Sequence, residues 1–67
     1  MSEKIVLRKE AADGIIIKEI QFEQVRTQTI IDGTPAYTQT KDIKRLGYKD
    51  SKELIDALKV QGYEILR

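Results

Sequence analysis

Lys41, Lys44, Arg45, Lys49 and Lys52 place five cations within twelve residues, with Tyr48 among them and only Asp42 and Asp50 against them. Such a stretch can hold phosphates by charge and offer a ring for stacking on a base. Its plainer reading is a solvated connector, because lysines collect in loops and the whole chain carries only +1.

Catalysis has little to draw on. The chain contains no His and no Cys, so it lacks the commonest general base, the strongest nucleophile and both soft metal ligands. Eleven carboxylates remain. Asp13 and Asp32 precede glycines in turns and Asp50 begins a helix, while Glu19 and Glu23 are expected opposite cations on a neighbouring strand. Gly14, Gly33, Gly47 and Gly62 stand singly, so no phosphate-cradling glycine motif is present. No calcium or magnesium loop is spelled out. The expectation is a chain that is not an enzyme and takes no cofactor, metal or small-molecule ligand.

The segment 40–48, followed by the helix after Asp50, resembles a helix-turn-helix over about nineteen residues. Ile43 stands where that family has a small residue, and Leu54 comes late for the first apolar position of the second helix. The resemblance would turn Ser51, Lys52, Glu53 and Asp56 toward a major groove, a set too acidic for that task.

The elements that must position these residues follow from pattern and length. With 67 residues, the chain is expected to form one small globular domain over 1–67. A domain of this size buries roughly 60% of its unfolded surface. Without disulfides or metal, self-association is the remaining route to added stability. At 40% hydrophobic and 34% charged it reads as globular. Its longest apolar run, Ile15-Ile16-Ile17, is too short to span a membrane, and residues 1–8 lack a signal-peptide core, so a cytoplasmic location is expected.

Asp13-Gly14 and Asp32-Gly33 predict two-residue hairpin turns. The first sets Leu7 opposite Ile20, Ile5 opposite Phe22, Arg8 opposite Glu19, Lys4 opposite Glu23 and, less comfortably, Lys9 opposite Lys18. The second pairs Ile31 with Thr34, Thr29 with Ala36, Thr27 with Thr38 and Val25 with Thr40, and puts Pro35 on a sheet edge. Between them one long strand changes apolar parity, from Ile20 and Phe22 to Val25 and Ile31, which predicts a bulge or sharp bend near Gln24. Ile43 and Leu46 suit one helical turn stopped by Gly47. Asp50 and Glu53 form a capping-box pattern, and Leu54, Ile55, Ala57, Leu58 and Gln61 share an arc. Gly62 and Tyr63 suit a Schellman ending over Leu58.

The predicted fold is α+β, in the order β-β-β-α-β. It has a three-stranded antiparallel meander (about 4–12, 15–31 and 34–41), one helix (about 51–61) packed on it, and a short last strand (63–66). The expected function is non-catalytic binding through protein–protein association, either homodimeric or with a partner such as an inhibited enzyme. Its surface would be the free sheet face, with Ile15, Ile17, Tyr37 and Val60. The alternative is a nucleic-acid-binding regulator using Lys41, Lys44, Arg45, Tyr48, Lys49 and Lys52.

Overall fold

The computed structural model describes residues 4–66, so part of the 1–8 stretch read for a signal peptide lies outside the described residues. The first two strands are β1 (Ile5–Ala11) and β2 (Gly14–Gln21). They form a hairpin, but its register lies two residues from the expected one: Ile5 pairs with Ile20, Leu7 with Lys18, Arg8 with Ile17 and Lys9 with Ile16. The loop residues are Ala12 and Asp13, and Gly14 already belongs to β2, opposite Ala11. Gly14 does not supply positive φ here. The Ile30 carbonyl of the next strand fills the space where a side chain at Gly14 would stand. Glycine is required for that close approach, a tertiary reason invisible in a local turn motif. The two-residue shift preserves which face each side chain takes and separates Lys9 from Lys18.

The expected long middle strand is two strands. After β2 the chain turns at Phe22-Glu23 and returns as β3 (Gln24–Ile31), with Gln21 paired to Gln24 and Ile20 to Val25. Phe22 and Glu23 have φ of 53° and 59°, the paired left-handed pattern of a type I′ turn. The parity change expected from a bulge near Gln24 is therefore a complete reversal of direction. Phe22, expected in the sheet opposite Ile5, is 72% exposed at the tip.

The Asp32-Gly33 turn forms as expected, with φ of 53° and 76°, and leads to β4 (Thr34–Asp42). Ile31 pairs with Thr34 and Ile30 with Pro35, after which Ala36 is bulged out and the register slides by one. Thr29 then faces Tyr37, Thr27 faces Gln39 and Val25 faces Lys41. β4 is the outer strand of the sheet, where Pro35 is tolerated.

Ile43 donates its N–H to the Glu23 carbonyl at 3.0 Å and leads into a 3₁₀ turn, Lys44–Leu46, ended by Gly47 at φ 93°. The helix α1 (Ser51–Val60) begins at Asp50, whose carboxylate accepts from the Glu53 N–H at 3.0 Å. It ends as predicted. The Tyr63 N–H reaches the Leu58 carbonyl and the Gly62 N–H the Lys59 carbonyl, both at 3.0 Å, with Gly62 left-handed at 102°. A two-residue strand, β5 (Glu64–Ile65), then pairs antiparallel with β1.

The result is a small α+β domain with sheet order β4-β3-β2-β1-β5 and one helix. Leu7, Ile20, Val25, Ile43, Leu54, Leu58 and Tyr63 form the core, with Ile5, Ile16, Tyr48 and Ile55 packed around it. All three sheet residues of that core lie on one face, as strand alternation requires. Among the described residues, no helix is long and apolar enough to cross a membrane.

Candidate functional site

The connector cations are spread over four consecutive segments. Lys41 belongs to β4, Lys44 and Arg45 to the 3₁₀ turn, Lys49 to the loop before the cap and Lys52 to the first turn of α1. All five are exposed. Tyr48, expected to stack on a ligand, is half-buried and packs against the core. The short first helical element is a single 3₁₀ turn, and Ile43 is buried in the core beside it, so no helix-turn-helix is formed. An open groove of about 350 Å³ joins Lys41 and Arg45, but Thr40, Asp42 and Leu46 line it too.

The predicted protein-contact residues are also dispersed. Ile15 and Ile17 lie on the sheet face away from the helix, where Ile15 pairs with Ile30, and both are half-buried by their neighbours. The bulge at Ala36 turns Tyr37 to the opposite face, where it is 58% exposed. Val60 is 88% exposed on the helix. Three separate surfaces carry these four residues.

Strand register sorts the charges into two unlike faces. Away from the helix lie Lys4, Arg8, Glu10, Glu19, Arg26 and Asp42. Here cations meet carboxylates: Arg8 and Glu10 are 3.1 Å apart, Lys4 and Glu19 3.9 Å, and Gln24 donates to Asp42 at 3.3 Å. On the helix side the charged strand residues of β1 to β4 are Lys9, Lys18 and Lys41, with no carboxylate among them. Lys18 donates to the Thr27 hydroxyl at 2.9 Å. Burial holds the Lys18 ammonium below the usual lysine range, and the nearby Lys41 charge adds to the effect. Lys9 and Lys18 also approach the Tyr63 ring, at 5.5 and 5.7 Å from its centre. Burial raises the Tyr63 hydroxyl above its ordinary range.

Two features here lay beyond sequence reasoning. One is this helix-side lysine series, which exists only once register is known. The other is Phe22, whose ring stands between two shallow grooves. One holds Lys4, Glu19 and Arg26; the other holds Asp42, Lys44 and Arg45. The parity change between Ile20 and Val25 was its available signal.

Asp13 and Asp32 serve in turns, Asp50 in the cap and Glu19 in an ion pair; Glu23 occupies the β2–β3 turn and not the cross-strand position expected for it. Among the described residues no group of three or more Asp or Glu side chains is placed to hold a metal ion. No protein-family model matches this chain, and the comparisons with curated proteins and with solved structures found no match either.

Proposed function

We propose that the chain is a non-catalytic binding module that associates with other protein chains, and that it does so first with a second copy of itself, paired edge to edge through β4. One observation carries this reading. β4 is the outermost strand, all nine of its residues are exposed, and Thr34 to Thr40 contain no charge. Sheet edges are commonly blunted by charge, proline, bulges or shortness. The opposite edge, β5, is only two residues long. In β4 the blunting devices sit at one end, Pro35 and the Ala36 bulge, which leaves the outward backbone groups from Tyr37 onward open to pairing. An antiparallel twofold arrangement would match this strand to itself without opposing like charges near the axis. Pairing would also supply the added burial that a thin single core lacks.

Light scattering across a concentration series tests the proposal. The expected mass rises toward twice 7.7 kDa and does so equally in low and high salt. Thr38→Lys with Thr40→Lys should hold the protein monomeric, because pairing would bring like charges together. A parent that stays monomeric at the highest concentration overturns the reading. So does a doubly substituted chain that still dimerises.

A further inference from the structure

We infer that the helix-side face of the sheet, from Lys18 to Lys41, is a binding site for single-stranded nucleic acid. This is a different site from the β4 edge and does not depend on pairing there.

Lys18 on β2 lies opposite Thr27 on β3, which lies opposite Gln39 on β4; Lys41 stands one row away, opposite Val25. The two lysines therefore lie on a diagonal crossing three strands. Thr29 and Tyr37 occupy the row on the other side. Every strand residue of this stretch is either cationic or an uncharged hydrogen-bonding group, apart from the buried Val25. On this face a polyanion meets no strand carboxylate; Asp42, which shares a groove with Lys41, leaves the strand from the opposite face. Lys9 continues the diagonal onto β1, but it also borders a groove containing Glu10 and Glu64, so the acid-free stretch ends at Lys18.

The placement of Lys18 and Lys41 on one face, near enough to repel one another, gives the site its driving force. Two ammonium groups share the influence of one surface, and a phosphate between them relieves the repulsion of both. Tyr37, exposed at the outer end, offers a ring on which a base can stack. The stacking ring selects the class of ligand. Beyond the buried Val25, the helix-side positions of β3 and β4 are part-exposed or exposed, with Tyr37 at the outer end. Bases of a duplex already stack on one another and present only their edges in the grooves. Bases of a single strand are free to stack on a ring while their backbone follows the lysines.

Fluorescence anisotropy of a labelled deoxythymidine 12-mer, titrated with the full chain from about 20 to 200 mM salt, tests the inference. The parent is expected to bind, with log affinity falling linearly against log salt. Each of Lys18→Met and Lys41→Gln should reduce that slope by about 0.7. Tyr37→Leu should weaken binding by about fivefold or more while leaving the slope unchanged. Lys41 is fully on the surface, so its substitution keeps the test valid even if Lys18→Met disturbs folding. Light scattering of the same variants should give the parental mass, which separates loss of this site from loss of β4 pairing. Several outcomes overturn the inference. One is no anisotropy change at the lowest salt. Another is affinity insensitive to Lys18 and Lys41 but lost on Lys44→Gln with Arg45→Gln, which would place the contact on the connector. Equal binding of duplex, or preference for polyglutamate over the oligonucleotide, would also overturn it.

Discussion

The two halves of the sheet are built differently. Toward α1, β1, β2 and the start of β3 contribute Leu7, Ile20 and Val25 to a core closed by Ile43, Leu54, Leu58 and Tyr63. At the other end β4 contributes no buried residue at all. One half is held by side-chain packing, and the other chiefly by its backbone ladder to β3 and the geometry of its turn. The difference separates stability from availability. Surface in the first half is already occupied, while surface in the second is open to something else.

Core truncation should expose this contrast most. Leu7→Ala, at a fully buried site, is expected to cost about 2–5 kcal/mol in urea unfolding. Tyr37→Ala on β4 should stay within about 0.5 kcal/mol. For a small domain the first change approaches the whole stability. Comparable losses from the two substitutions would mean that the bare half is as structural as the covered one.

The turn joining the halves gives a smaller effect, of opposite sign. Phe22 and Glu23 both hold left-handed backbone, which costs roughly 1–2 kcal/mol per residue for ordinary side chains. Replacing them with Asn and Gly, the residues such turns favour, should stabilise the protein by about 1–3 kcal/mol and raise the urea midpoint at unchanged slope. An exposed aromatic held in a strained turn is also a feature to test for binding. The substituted chain therefore belongs in the light-scattering series as well.

The smallest expected effect concerns pH within the covered half. Tyr63 has its pKa raised by burial from an ordinary 10.0. The folded chain then keeps a proton that the unfolded chain releases. The associated stability is fully present below pH 10.0 and is lost as pH rises through the folded value. Lys18 is lowered, so its contribution runs the other way, recovering stability as pH rises through its ordinary 10.5. Comparing Tyr63→Phe with the parent holds Lys18 constant. The parent should lose stability relative to the variant above pH 10.0, in thermal melts across that range. Parallel pH profiles would show that Tyr63 does not seal the covered half.

What could be read from the chain followed from how local its cause was. The Asp50 cap, the Gly62-Tyr63 ending and the Asp32-Gly33 turn each depend on a few adjacent residues, and each forms as expected. Gly14 looks like a turn residue in isolation, because its true requirement, room for the Ile30 carbonyl, comes from a strand sixteen positions away. Phe22-Glu23 carries no turn chemistry, so its parity change suggests a bulge near Gln24, while the real bulge lies at Ala36. The same limits applied to function. The connector lysines were visible as a run, whereas Lys9, Lys18 and Lys41 are scattered along the chain and become neighbours only through pairing.

Ala36 adds slack to the outer hairpin. Its bulge takes up one residue of length, and every position beyond it takes its face from that choice. Without the bulge, β4 would slide one place against β3, carrying Tyr37, Gln39 and Lys41 to the far side of the sheet. Removing Ala36 itself would have the contrary effect: the ladder would become regular with Tyr37 still against Thr29, and the slide would have no spare residue to draw on. One residue of extra length thus decides which way the open strand presents its lysine.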